Sequence, residues 1–224
     1  HGGGYFFGSP HTHRALTFEL ARRSGARVFS LDYRLAPEHP FPAARDDVVA
    51  AYHWLREAQG IPAQNLIVMG DSAGGALTLS LLQHLKAEQN EQPACAILYS
   101  PLTDLSFSGD SFKTNKYREV MFKPAAYKLS AEYYAVGVDV QDPEVSPLFG
   151  RFDGLAPLQI HVSTWEVLYD DARRVAEAVE LAGGSVELHE EKGLMHAWPT
   201  LYPYFPEASL TIDNSVQFLK QYWK

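Results

Sequence analysis

The stretch "GDSAGG", Gly70 to Gly75, follows the apolar run "NLIVM" (65–69) and leads into "ALTLSLLQHLKAE" (76–88), where Leu77, Leu81 and Leu85 recur at helical spacing. A serine framed by glycines can be an ordinary turn, and at average composition Gly-x-Ser-x-Gly turns up by chance in about one chain in fourteen of this length. Context is what decides. A short buried strand, a sharp turn and a helix, with Ser72 at the apex, is the arrangement of a nucleophile elbow. The turn brings strand and helix so close that side chains at Gly70 and Gly74 would clash. It also exposes the Ser72 hydroxyl and aims the Ala73 N–H, at the helix N-terminus, toward the place where an oxyanion would form.

Outward from that point two kinds of segment alternate. "RVFSLDY" (27–33), "NLIVMG" (65–70), "ACAILYS" (94–100), "LQIHVST" (158–164) and "SVELHEE" (185–191) are short and mostly apolar, as buried strands are. Between them lie helical patterns. In 43–60 the residues Val48, Ala51, Tyr52 and Leu55 share a face and Gly60 marks a stop; in 170–184 Val175, Ala178, Val179 and Ala182 do the same ahead of Gly183. Residues 207–223 read as a C-terminal helix. Alternating strands and helices predict an α/β fold, a mostly parallel sheet with helices on both faces. The length fits one domain, 1–224, in which 101–155 is a partly helical insertion rich in aromatics and suited to lining a pocket.

Composition narrows the function. The chain carries a net charge of −8 with its 9 histidines neutral and has no basic run, which argues against nucleic acid as a partner. No apolar segment approaches the length of a membrane span. The single cysteine, Cys95, sits in an apolar run, reads as a small buried hydrophobe and fits a reducing, cytoplasmic setting.

The chain opens with "HGGG", residues 1–4. Consecutive glycines let backbone N–H groups approach a ligand, and Gly3 and Gly4 are the best placed pair for oxyanion donors alongside Ala73. A plain flexible loop is the bland alternative; a phosphate cradle is disfavoured because neither Lys-Ser/Thr nor a G-x-G-x-x-G spacing follows. A histidine acting as general base is expected on a loop after the last strand and before the last helix, in the chain order serine, acid, histidine, and His196 in "GLMHAW" meets that condition. His161 and His189 fall in strands, His53 and His84 in helices. His11 and His13 form an H-x-H pair with no third ligand nearby, a weak metal case, and no metal is expected.

"HGGG", "DYRLAPEHPFPAARDD" (32–47), "GDSAGG", "SPLTDLSFSGDS" (100–111), "WEVLYDD" (165–171) and "GLMHAW" (193–198) occur in order. Together they resemble the hormone-sensitive lipase family of α/β-hydrolases, the bacterial family IV esterases, over nearly the whole chain. The resemblance implies a carboxylesterase with no cofactor, acting on small-molecule esters of short acyl chains through an acyl-enzyme, with lactones, acetylated metabolites and carbamates as near alternatives. The family usually has an aspartate where Glu166 stands, followed four residues on by another acid, here Asp170. Glutamate can orient a histidine equally, and Asp170 reads better as a helix N-terminal residue, so Glu166 is the expected acid.

Asp32, Arg34 and Glu38 are expected to buttress the glycine loop, Asp104 to hold its own turn, and Asp71 to point away from Ser72. Tyr5, Phe107, Trp165 and Trp198 are candidate pocket walls. Residues ahead of His1 are expected to supply the first strands and a cap. The resemblance further suggests a homodimer through the last strand, although Glu187, Glu190 and Glu191 suit a solvated edge equally well. A ligand-binding receptor that has lost its histidine is disfavoured by the presence of His196, while a peptidase on the same residues stays open.

Overall fold

The computed structural model describes residues 1–223. Strands β1 (Ile67–Asp71), β2 (Cys95–Tyr99), β3 (Leu158–Ser163) and β4 (Val186–Glu191) form one sheet in the order β1-β2-β3-β4, every neighbouring pair parallel. Among the described residues the α-helices are α1 (Arg14–Ser24), α2 (Ala43–His53), α3 (Ala73–Ala87), α4 (Ser111–Thr114), α5 (Pro124–Tyr134), α6 (Tyr169–Leu181) and α7 (Pro206–Tyr222). Parallel neighbours need crossovers, and α3 provides the one from β1 to β2, α6 the one from β3 to β4. The long crossover from β2 to β3 is the insertion, holding α4 and α5.

Side chains alternate across a strand, which divides the core into two layers. On one face Ala96 and Leu98 of β2 and Ile160 of β3 pack with Leu79 and Leu82 of α3 and Val175 of α6. On the other, Cys95, Ile97 and Tyr99 meet Leu20 of α1 and Ile212 and Val216 of α7. β2 and β3 are buried along their whole length, whereas β4, at the edge, is only partly buried and exposes Glu187 and Glu190. Each fully buried aliphatic side chain contributes about 1.5–3 kcal/mol. Burial pushes the Cys95 thiol up to about 12, in keeping with an inert packing role.

One expected strand is absent. Residues 27–33 belong to no strand and have no ladder partner among the described residues, and Val28 and Phe29 are exposed. Periodicity can mark a segment as strand-like, but a strand forms only against a neighbouring backbone. Between this segment and β1 lies a cavity of about 820 Å³, lined by Leu16, Val28, Leu31, Leu66, Val68 and Leu77 among others. Ser72, Glu166 and His196 do not line it. The helix expected over 43–60 is α-helical to His53, continues as a π-turn over Trp54–Ala58, and stops at Gly60 with φ +65°. Among the described residues no helix is long and apolar enough to cross a membrane.

Candidate active site

Ser72 sits between the end of β1 and the first residue of α3, at φ 51°, ψ −119°, a backbone conformation that L residues rarely adopt. The closeness of strand and helix explains Gly70, where a Cβ would lie 2.1 Å from the Gly74 carbonyl oxygen; Gly74 is required by the glycine loop instead, since a Cβ there would lie 2.7 Å from the His1 carbonyl oxygen. The turn is pinned by Ser72 N–H donating to Tyr99 O at 2.8 Å and Leu102 N–H to Ser72 O at 3.0 Å.

His196 lies on the loop after β4 and Glu166 on the loop after β3, both fully buried. His196 Nδ1 is 2.6 Å from Glu166 Oε2. The other carboxylate oxygen, Oε1, accepts from Ser163 N–H and from the Ser100 hydroxyl, each at 2.8 Å. Ser100 Oγ in turn accepts the Ala197 N–H at 3.0 Å, so one hydroxyl ties the acid to the residue beside the histidine. Burial works to lower the His196 pKa, and Glu166, bonded and charged, with Glu119 behind it, more than offsets this and raises it. Asp170 lies elsewhere, accepting the Ser111 N–H at 2.7 Å at the start of α6. Among the described residues no hydrogen bond joins Ser72 Oγ to His196; such bonds commonly close only with substrate in place.

The glycine loop passes over the elbow with Gly3 at φ +115° and Gly4 at φ +59°. Among the described residues the N–H groups of Gly3, Gly4 and Ala73 donate to no protein acceptor, which leaves them available to a ligand. The loop is held differently from the sequence expectation. Asp71, pointing away from Ser72, accepts the Gly2 N–H at 2.9 Å and meets His13 Nε2 at 3.1 Å, and Tyr33 donates its hydroxyl to His1 O at 2.7 Å while its ring stacks on His1. Burial would raise the Asp71 carboxyl, but the His13 hydrogen bond and charge hold it near 2. Arg34 instead pairs with Asp47 at 2.7 Å, and neither Asp32 nor Glu38 makes a side-chain hydrogen bond to the loop among the described residues. Asp104 does cap its own turn, accepting from Ser106 and Ser108 N–H groups, and also binds Arg174.

The four aromatic candidates do not form one wall. Tyr5 is buried and stacked on Tyr134 at 3.8 Å, and Trp198 is buried with its indole N–H donating to Thr211. Phe107 stacks on Phe112, and Trp165, 40% exposed, shares a cavity of about 100 Å³ with Val120, Met195, Trp198 and Phe205. The rings that face His196 are Phe122 and Tyr127 of the insertion, at 5.9 and 5.7 Å between centroids. Sequence reasoning passed over Tyr127, Ser100, Tyr33 and Glu119; only Ser100, directly after a strand, stood where a signal could be sought.

A family model described as the alpha/beta hydrolase fold matches residues 1–200. An acetyl-hydrolase of Streptomyces hygroscopicus is 42% identical over 220 residues, 98% of this chain and 73% of that protein. An esterase of Acinetobacter venetianus is 37% identical over 97% of this chain and 72% of that protein. Among solved structures, EstE5 superposes with a TM-score of 0.97 at 41% identity, covering 100% of this chain and 75% of that one. A hormone-sensitive lipase from a metagenome library gives a TM-score of 0.95 at 38% identity, covering 99% and 76%.

Proposed function

The chain belongs to the hormone-sensitive lipase family of α/β-hydrolases and is a carboxylic ester hydrolase, and from that membership we propose that Ser72, His196 and Glu166 carry the reaction. The observation that supports the assignment most is the buried 2.6 Å contact between His196 Nδ1 and Glu166, on loops beside the Ser72 elbow. His196 removes the Ser72 proton as Oγ attacks the ester carbonyl, and Glu166 keeps the imidazole in the tautomer with Nε2 free and stabilises the imidazolium. The N–H groups of Gly3, Gly4 and Ala73 receive the oxyanion. The alcohol departs with the proton from His196, leaving an acyl-enzyme. A water activated by His196 then releases the acid. No cofactor takes part.

Short acyl esters are the proposed substrates. Relatives named acetyl-hydrolase and ethyl acetate hydrolase, the latter from Pseudomonas putida at 33% identity, support a small acyl group, and Phe122 and Tyr127 crowd the base. The name of the first relative also favours acetylated metabolites as the natural esters. The insertion 101–155 serves the pocket through those two rings. A serine-directed phosphonate is expected to label Ser72 alone, and a panel of nitrophenyl esters to show turnover falling as the acyl chain lengthens. Labelling elsewhere, or full turnover by Ser72→Ala, would overturn the assignment.

A further inference from the structure

Glu119 lies on the loop ahead of α5 and is 2% exposed. Its Oε1 accepts the Met121 N–H at 2.9 Å, while Oε2 is buried with no hydrogen-bond partner. An oxygen of Glu119, an oxygen of Glu166 and a ring nitrogen of His196 all lie within 4.8 Å of one another. A buried carboxyl oxygen without a partner is costly, and a loop cap needs only the Oε1 bond. On the reading that His196 is the base, we propose that Glu119 is a positioning residue behind it: a second carboxyl that steadies the imidazole beside Glu166 and stabilises the imidazolium formed at each proton transfer.

The titratable groups that act on His196 come from four elements: Glu166 from the loop after β3, Glu119 from the loop before α5, Tyr127 from α5, and, through its charge alone, Asp71 at the end of β1. Tyr127 stays neutral because burial raises its pKa well above the usual value. Asp71, held near 2, is ionised throughout the working range and acts as a constant background. Glu119 differs from both. Burial pushes its carboxyl up while the charge on His196 pulls it down, so it ionises most readily when the imidazole is charged. Its charge therefore answers the event that catalysis creates, and two such groups titrate as a coupled pair.

Glu119→Gln keeps the length and the carbonyl acceptor for Met121 while removing the charge. Measured on nitrophenyl butyrate from about pH 5 to 9, it should shift the acid limb of kcat/KM down by about one unit and lower kcat roughly tenfold, with KM little changed. In a Glu166→Gln background the same substitution should produce a loss that is not the product of the two single losses. A pH profile superimposable on wild type, or a change confined to KM, would overturn the proposal. If Glu119→Gln does not fold, Glu119→Asp decides, since a withdrawn carboxylate must also move the acid limb and an unmoved limb refutes the idea. Ser72→Ala, run alongside, separates the two readings. If it retains turnover the active-site assignment falls and this proposal with it; if it is inactive while Glu119→Gln behaves as wild type, only this proposal falls.

Discussion

Glu166 spends its extra methylene on reach: from the loop after β3 it binds Ser163 and Ser100 with one oxygen and His196 with the other. Shortening it should break one of these. Glu166→Asp is expected to lower kcat about 10- to 100-fold with the charge intact, because orientation is lost before electrostatics are. Glu166→Gln should cost about 1,000-fold or more by favouring the wrong tautomer. It should also lower the acid limb of the pH profile, since Glu166 is the chief reason His196 titrates above its ordinary value. A stopped-flow pH series on each variant checks both. Ser72, Glu166 and His196 were legible in the sequence because each lies on the stretch that leaves the C-terminal end of a strand, and strand ends are what periodicity locates. Glu119 and Tyr127 were not, because a contact between segments far apart in the chain leaves no periodic trace.

At the scale of elements the elbow is the most constrained piece. Gly70→Ala would place a methyl 2.1 Å from the Gly74 carbonyl, so β1 and α3 must move apart. The expected loss is about 2–4 kcal/mol with a parallel fall in kcat, read by urea denaturation and ester turnover. Gly60→Ala, at φ +65° with no atom within 4 Å of the new Cβ, should cost only about 1 kcal/mol and spare activity. Gly70 was readable from the motif, since its reason is local, whereas Gly74 is held to glycine by the His1 backbone from the far end of the chain. The segment 27–33 was misread for the opposite reason: its apolar content is strand-like, but among the described residues no backbone pairs with it. The same limit explains the glycine loop. Its supports, Tyr33 and Asp71 with His13, are set by how distant segments dock, and so the nearby charges Arg34 and Glu38 were the wrong ones to choose.

For the whole molecule, stability should carry the signature of a buried acid. Asp171, behind the β2 and β3 ends, has its pKa raised to about 7, chiefly by burial and then by the charge of Asp104. Its unfolded value is about 3.9, so between these limits the folded state binds the extra proton and stability falls as pH rises, levelling off above about pH 7. Asp171→Asn keeps an acceptor for the Thr103 and Asp104 N–H groups and removes that titration. Thermal midpoints of the two proteins should lie close below about pH 4 and differ by about 5 °C or more above pH 7, with the variant higher. Equal pH dependence in both would show that Asp171 titrates normally. The strand order has a further consequence, in time rather than space. β1, β2, β3 and β4 lie side by side in the order of their synthesis, and the stretch that leaves each one carries one member: Ser72, Ser100, Glu166, His196. The set is complete only when the last and most exposed strand has docked, so the appearance of activity should trail the recovery of helical ellipticity on refolding. On slow addition of denaturant the order should reverse, with turnover vanishing while most of the ellipticity persists, because fraying of β4 alone carries His196 away from the other three.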